Sequence, residues 1–486
     1  LFRSPRRSQS FNKQGHLGIG GRWREAKLYE PLFAPHSGEH IADIAQAQPE
    51  QAAEAIVEAN SAFQSFKRVP AHERAAILYK AAEIIRQNRE ECARIIALEA
   101  AKPIRSSREE IDRTVQTYLF SAEAAKTVLG EQIPMDAAKN GENRFGFTIR
   151  VPLGVITAIT PFNFPFNLVA HKVGPAIAAG NSIVLKPAEQ TPLSALFLAE
   201  TFKEAGLPDG VLNIIPGRGD VLSETLTSHP YVKKVTFTGS VEVGHIIKQQ
   251  AGLRKVTLEL GSNSPLIVDE GADMERIIGR CVHGAFSYNG QVCISIQRIY
   301  VHHSLYAQFV DRFVSLAKQL VVGSPFAEDT DITAVISQKS LERLKSWLEE
   351  AVSQGAKVEC GGTTSGNVLL PTVLTNVKHD SKVVSREVFG PVVAIFSFET
   401  LEEAIRRVND SRYGLNAGIY TPHIDRAFQA AREIESGGVM INDIPTFRID
   451  NMPYGGWKDS GTGREGVRYA MSEMMETKFI CINLRH

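Results

Sequence analysis

The sequence is short of the features that would place it outside a reducing, aqueous compartment. It has five cysteines (Cys92, Cys281, Cys293, Cys360 and Cys481), scattered and odd in number, with no CxxC pair. That excludes a disulfide framework and a zinc knuckle, so no metal is expected and any thiol chemistry rests on one residue. No apolar run reaches the ~20 residues that a membrane helix needs. The richest stretch, Val151 to Ala170, is broken by Pro161, Asn163, Pro165 and Asn167. Charge of one sign is also missing. With 54 basic and 54 acidic residues, there is no electrostatic reason to expect nucleic acid or a membrane surface as partner. The ordinary dinucleotide fingerprint is absent as well. Gly217-Arg218-Gly219 opens like GxGxxG, but Leu222 holds the third glycine position, and a turn explains the pair equally well.

What is present reads as a large soluble α/β protein. A chain of 486 residues, 43% hydrophobic and 22% charged, is long enough for two large domains. The N-terminus is basic, with Arg3, Arg6, Arg7, Lys13, Arg22 and Arg24 ahead of the first acid, Glu25. It lacks the apolar core of a secretion signal and reads as a targeting remnant, a cloning scar or a mobile arm. The expected location is therefore cytoplasmic, with an organellar matrix left open.

Ile77, Ala81, Ile84 and Ile85 share a helical face, and the pattern resumes through Ile95, Ile96 and Leu98 until Lys102-Pro103 interrupts it. Packing accounts for this region, with Arg108 and Arg113 the only residues there considered for chemistry. From Gly154 the rhythm changes. Short β-branched runs (Val155–Ile159, Ile183–Leu185, Val211–Ile215, Val235–Phe237, Val256–Leu258) alternate with helix-like stretches (Leu168–Ala179, Leu193–Ala205, Val221–Thr227, Val243–Ala251). That alternation predicts βαβ units and a parallel sheet, whose ligands bind beyond the carboxyl ends of the strands. A second alternation follows: strands at Ile299–Val301, Val392–Phe398 and Gly438–Asn442, helices at Leu305–Leu320, Ser340–Gln354 and Leu401–Val408. The last segment, Glu476–Asn483, reads as a strand. It could serve as an edge for subunit pairing or fold back on its own sheet.

Two residues carry chemical interest on their own. Cys293, in Asn289-Gly290-Gln291-Val292-Cys293, would be a nucleophile only if its pKa of about 8.5 were locally adjusted, and a cysteine among apolar neighbours is otherwise packing. Glu259, in Leu258-Glu259-Leu260-Gly261, would be a base if buried, and is otherwise a strand-end carboxylate reaching solvent.

The combination is more informative. From about Ala45 to Lys478 the chain resembles the aldehyde dehydrogenase superfamily. The motifs are Thr160-Pro161-Phe162-Asn163-Phe164-Pro165, Lys186-Pro187-Ala188-Glu189-Gln190-Thr191-Pro192, Phe237-Thr238-Gly239-Ser240, Glu259-Leu260-Gly261, Gly290-Gln291-Val292-Cys293, Glu387-Val388-Phe389-Gly390-Pro391 and Pro453-Tyr454-Gly455-Gly456, all in family order. One detail departs: Ser262 follows Gly261 where the family often has a second glycine.

The resemblance implies oxidation of an aldehyde to the acid with NAD(P)+. Cys293 would form a thiohemiacetal and then a thioester, Asn163 would hold the oxyanion, and Glu259 would activate the hydrolytic water. It further implies cofactor contacts from Thr160, Pro161, Phe162, Lys186, Pro187, Glu189, Phe237, Gly239, Ser240, Gly261, Glu387 and Phe389. A carboxylate at Glu189 favours NAD over NADP, though both can be accepted. The implied fold is α/β with two parallel-sheet αβα domains, cofactor-binding (1–130 and 153–261) and catalytic (262–461). A small β oligomerisation arm (131–152 and 474–486) implies a homodimer or homotetramer.

Phe164, Leu168, His171, Tyr288, Val292, Ile294, Phe447 and Tyr454 are the expected substrate wall, by proximity to the motifs. Arg448 adds a second reading, an anionic group on the substrate, and reads equally well as a surface or interdomain salt-bridge partner. Gly-Gln-Val-Cys-Ile-Ser followed by Gln297-Arg298 is similar to the lactaldehyde, phosphonoacetaldehyde and glyceraldehyde-3-phosphate type, so a short polar or anionic aldehyde is expected ahead of an apolar one. A CoA-acylating dehydrogenase is the nearest alternative. The glutamate is replaced in the best-known CoA-dependent branch, so Glu259 argues for hydrolysis. A non-catalytic protein on the same fold, or a thiol esterase, are the remaining alternatives.

Overall fold

The computed structural model describes residues 14–484. The strands predicted after Gly154 form, and nearly every residue in them is buried, as parallel strands covered on both faces require. They belong to an 8-stranded sheet ordered Gly461–Thr462, Lys255–Glu259, Val232–Thr238, Val155–Ile159, Ser182–Lys186, Leu212–Ile214, Leu17–Ile19, Arg22–Arg24. Val155–Ile159 is followed in one direction by Ser182–Lys186 and in the other by Val232–Thr238, all parallel. The strand order therefore reverses there, and the crevice beyond such a switch point is where open α/β sheets take ligands. Thr160 and Gly239 leave the two strands that flank it.

A 7-stranded sheet follows, ordered Lys357–Cys360, Thr372–Thr375, Val392–Phe398, Arg298–His302, Pro265–Val268, Asn416–Tyr420, Gly438–Ile441. The strands are parallel except for Lys357–Cys360. The chain is thus an α/β protein of two domains, one around each sheet. Gly461–Thr462 returns to pair with Leu258 and Glu259 of the first sheet. Among the described residues, no helix is long and apolar enough to cross a membrane.

The termini differ from expectation. Residues 1–13, with Arg3, Arg6, Arg7 and Lys13, lie outside the described residues. Arg22 and Arg24 do not sit on a mobile arm: their strand pairs with Leu17–Ile19, which joins the first sheet through Ile214. Burying Leu17 and Ile19 completely is what anchors it. Met475–Asn483 does find a partner in its own chain, running antiparallel along Arg144–Pro152. It still forms the outer strand of its three-stranded sheet, with Phe479 and Ile482 exposed.

The early region holds the helices Pro49–Phe66, Ala71–Gln87, Arg89–Ala100 and Ile104–Ala125. The last of these does more than pack. Glu110 accepts the backbone N–H groups of Phe166 (2.9 Å) and Asn167 (3.1 Å), which open the helix Asn167–Ala179. It also pairs at 2.7 Å with the fully buried Lys102, whose ammonium donates to the Asn163 carbonyl at 3.0 Å. One carboxylate thus fixes the loop Thr160–Phe166, satisfying donors that the helix start leaves orphaned. Glu110→Ala strands a buried ammonium and those N–H groups and should cost about 3–5 kcal/mol. The paired Lys102→Met/Glu110→Gln variant should lose less, because no charge is left alone. Urea unfolding midpoints of the two variants check the order.

Candidate active site

Cys293 follows a backbone that only tertiary contacts can hold. Tyr288 (φ 46°, ψ 48°) and Asn289 (φ 55°, ψ 26°) are consecutive left-handed residues, followed by Gly290 at φ 68°. Each non-glycine residue there costs of order 1–3 kcal/mol and persists only when its surroundings dictate it. They do. The Tyr288 hydroxyl donates to the Ala100 carbonyl (2.9 Å), and the Asn289 amide spans Thr333 and Ala334. The Gln291 side chain accepts from the Ile336 N–H (3.0 Å). A side chain at position 290 would run into the Gly390 carbonyl, so this turn needs its glycine.

The thiol sits where two cavities meet, because Cys293 and Leu168 line both. The larger, about 730 Å³, opens at the switch point between the sheets. Pro161, Phe162, Asn163, Gly239, Ser240, Glu259, Gly261, Glu387 and Phe389 are on its wall. The smaller, about 180 Å³, is lined by Phe164, Tyr288, Val292, Ile294, Arg448 and Tyr454, as the sequence predicts. The catalytic candidates therefore come together. Asn163 Nδ2 donates to the Gln291 carbonyl at 3.0 Å, two residues before the thiol, and keeps a second N–H. Glu259 is 3% exposed, which removes the solvent-reaching reading, and neither of its oxygens has a hydrogen-bond partner among the described residues.

Other expected residues lie off the walls of the two cavities. Phe237 does not line the cleft; it is core, packed beneath Gly239, where an added Cβ would strike its ring. Thr160 is buried behind the wall. Lys186, Pro187 and Glu189 lie outside the cavity at the end of the adjoining strand, where Glu189 accepts from the Gly219 N–H (2.9 Å) and faces the Lys186 ammonium at 3.7 Å. The Gly217-Arg218-Gly219 turn, dismissed on its pattern, thus abuts these two residues and opens the helix Gly219–Ser228. Phe447 is exposed and off the substrate wall, while Thr446 and Arg448 on either side are on it. His171 is buried behind the wall, 2.9 Å from Asp450. Arg108 is a surface residue paired with Glu90 and Glu328, with no part in the site.

Arg448 has two sets of neighbours. It lines the small cavity and donates to Glu465 at 3.0 Å. Arg113, also on that wall, is held by Asp450 at 2.7 Å. Lys102, Glu110, Lys172, Asp450 and Glu465 were missed by sequence reasoning. Each is an ordinary charged residue without a local motif, and burial is what distinguishes it.

Burial and charge set the protonation states. Burial, and then the charge of Glu465, lift Glu259 well above the usual carboxylate range, against Arg448 and Lys172. Burial works to raise Glu465 too, but Lys172 at 2.8 Å and Arg448 hold it far below. Burial pushes the Cys293 thiol up to about 11, opposed by the Tyr454 hydrogen bond and the Arg448 charge. Glu387 is raised to about 7 by burial, against the Ser262 N–H.

The larger cavity fits a dinucleotide on its own chemistry. Ser240 caps the helix Val241–Ala251, accepting the Val243 N–H at 3.3 Å, and the cavity meets that helix start, where unpaired N–H groups favour a phosphate. Gly261 is a cradle: a Cβ there would collide with the Glu387 carboxylate.

Comparison with known proteins agrees. The aldehyde dehydrogenase family model matches residues 23–480. A 3-sulfolactaldehyde dehydrogenase of Priestia megaterium is 47% identical, over 97% of this chain and 98% of the relative. Aldehyde dehydrogenase 21 from Physcomitrella patens, solved with its reaction product succinate, superposes with a TM-score of 0.95 at 37% identity, covering 97% of this chain and 98% of that one. The NADP-dependent glyceraldehyde-3-phosphate dehydrogenase from Bacillus halodurans, solved with NADP, does so with a TM-score of 0.95 at 36% identity, covering 97% and 100%. The chain belongs to the aldehyde dehydrogenase family and is an NAD(P)-dependent enzyme that oxidises an aldehyde.

Proposed function

We propose that the enzyme oxidises a short aldehyde carrying a second, anionic group to its acid, with Cys293, Asn163 and Glu259 running the chemistry. The observation that carries this reading is the position of Cys293 at the junction of the two cavities, with Asn163 and Glu259 on the larger and Arg448 on the smaller. Gly239 and Ser240 would hold the pyrophosphate, Glu387 the nicotinamide ribose with Phe389 close by, and Lys186 and Glu189 the adenosine ribose. When bound, the cofactor supplies a hydride acceptor.

The Cys293 thiolate adds to the carbonyl carbon. The oxygen so charged takes the second N–H of Asn163 Nδ2 and the N–H of residue 293, donors fixed before the reaction begins. After oxidation the acyl group is a thioester on the same sulfur. Glu259, as carboxylate, takes a proton from water; the hydroxide attacks the acyl carbon, the C–S bond breaks, and sulfur leaves as thiolate. Cys293→Ala should abolish turnover, and Asn163→Ala should lower kcat by about 10²–10³-fold. Because Glu259 is raised and must be ionised to act, hydrolysis is lost as pH falls through its elevated pKa. The acid limb of kcat should lie above the ordinary carboxylate range. Glu259→Gln should keep a burst of reduced cofactor while steady turnover falls, in stopped-flow traces.

Two substrates and one product bear on the anionic class. Sulfolactaldehyde and glyceraldehyde 3-phosphate, named for two of the relatives, and the succinate bound in a third are short anionic molecules, and the small cavity presents Arg113 and Arg448. Parallel rates with lactaldehyde, glyceraldehyde 3-phosphate and hexanal should rank hexanal last; a clear preference for hexanal removes the anionic reading. Adding CoA should leave the free acid as product.

For the cofactor, the Glu189 carboxylate would accept from a ribose 2′-hydroxyl and repel a 2′-phosphate, supporting NAD as the preferred form. The ratio of kcat/KM for NAD over NADP should exceed one and fall about tenfold or more in Glu189→Gln, as removal of a charge repulsion of about 1.4 kcal/mol requires. The outermost position of the strand Met475–Asn483 in its sheet supports a homodimer or homotetramer paired through the arm; a monomer by light scattering would remove it.

A further inference from the structure

Tyr454 came into view as part of a cavity wall, but its hydroxyl does something a wall does not require. Its oxygen lies 2.8 Å from Cys293 Sγ. The residue is 3% exposed, and a buried phenol needs a partner for its O–H; here the partner is the sulfur. The ring cannot drift. Its backbone is clasped to Glu465 by two hydrogen bonds, N–H to carbonyl at 3.1 Å and the return at 2.7 Å. Its face is covered by the Arg448 guanidinium, 3.7 Å from the ring centre.

We propose that the Tyr454 hydroxyl is a catalytic group that donates a hydrogen bond to the Cys293 sulfur and holds it as the reactive thiolate, with the stacked Arg448 supporting the charge. The proposal rests on the reading of Cys293 as nucleophile. While the thiol keeps its proton, either atom can donate. Once that proton has left to water in the cavity, sulfur has none to give, and only the phenol can make the bond. The contact is then charge-assisted and roughly twice as strong, so it favours the ionised state selectively. Burial keeps the phenol protonated, and hence a donor, throughout the working range. The other charges facing the sulfur are Glu259 and Glu387, which oppose its ionisation, and Arg448, which favours it.

A more acidic thiol is also a poorer nucleophile, and magnitudes decide which effect wins. Lowering the thiol pKa by about one unit multiplies the thiolate about tenfold at neutral pH, whereas nucleophilicity falls only about threefold at a Brønsted slope of 0.4–0.5. The net gain is about threefold.

The test is the pH dependence of iodoacetamide inactivation of the full-length enzyme without cofactor. Tyr454→Phe keeps the ring under Arg448 and removes only the oxygen. Its midpoint should rise by about one unit and its rate at pH 7 should fall about threefold. Replacing Tyr454 by 3-fluorotyrosine, a stronger hydrogen-bond donor, should move the midpoint down. An unmoved midpoint in Tyr454→Phe overturns the proposal, as does an upward shift in the fluorinated enzyme. Should the phenylalanine variant fail to fold, the near-isosteric fluorinated enzyme decides alone. Cys293→Ala separates the two layers. Turnover surviving in that variant rejects Cys293 as nucleophile, whereas loss of turnover together with an unmoved Tyr454→Phe midpoint rejects only the role of the hydroxyl.

Discussion

The chemistry of this site hangs on one buried negative charge, that of Glu465. Lys172 at 2.8 Å and Arg448 at 3.0 Å both spend their charge on it. Were Glu465 neutral, those two cations would act on Glu259 instead, pulling it toward the ordinary carboxylate range and leaving it a weak base. With Glu465 ionised, a second carboxylate nearby is disfavoured, and Glu259 rises. Two neighbouring buried acids are thus driven apart by which of them holds the cations, and the pair titrates as a unit. The same guanidinium stacks on Tyr454 and reaches the thiol electrostatically, so the proposed base and the proposed nucleophile are adjusted by a shared group.

Much of the fold was legible because its signal is local. Val155–Ile159, Val392–Phe398 and the helix Leu401–Asn409 carry their apolar periodicity and β-branched composition within a few residues. Pro265–Val268 and Asn416–Tyr420 were not read, although both are central in the second sheet. The first opens on Pro265, a residue that argues against a central strand, and the second is diluted by asparagine and glycine; their neighbours make them strands, not their own propensity. The N-terminal strand Leu17–Ile19 was missed for the same reason: three residues with a glycine among them have no period to detect.

The site was legible where a motif names its chemistry and opaque where tertiary structure alone does. Lys102 and Glu110 steer the Asn163 loop from a helix that reads as plain packing. Nothing in Glu109-Glu110 or Lys102-Pro103 distinguishes a buried pair from a solvated one. Proximity to a motif also misleads at the scale of one residue. Thr446 and Arg448 line the small cavity while Phe447 between them is exposed, where the chain leaves the turn closed by the Phe447 N–H on the Ile444 carbonyl. His171, one helical turn from Leu168, is captured by Asp450 before it can reach the cavity.

That capture bears on how the small cavity would take the proposed anionic substrate without being strongly positive. Its cations are already matched: Lys102 by Glu110, Arg113 by Asp450, Arg448 by Glu465. An entering anion would therefore meet oriented donors, the Arg113 and Arg448 side chains on the wall, instead of a net charge. A ligand that hydrogen-bonds such donors replaces the water they give up, whereas an alkyl chain leaves them unpaired at about 1–3 kcal/mol each. Discrimination then comes from what the apolar competitor leaves unmade, within a space of about 180 Å³ that a long chain would overfill. Keeping the cations matched has a second consequence. The cavity needs no counter-ion before substrate binds, and Arg448 could face the proposed anion while its Nη2 stays on Glu465, so anchoring that anion would not withdraw the ionised Glu465 that keeps Glu259 raised.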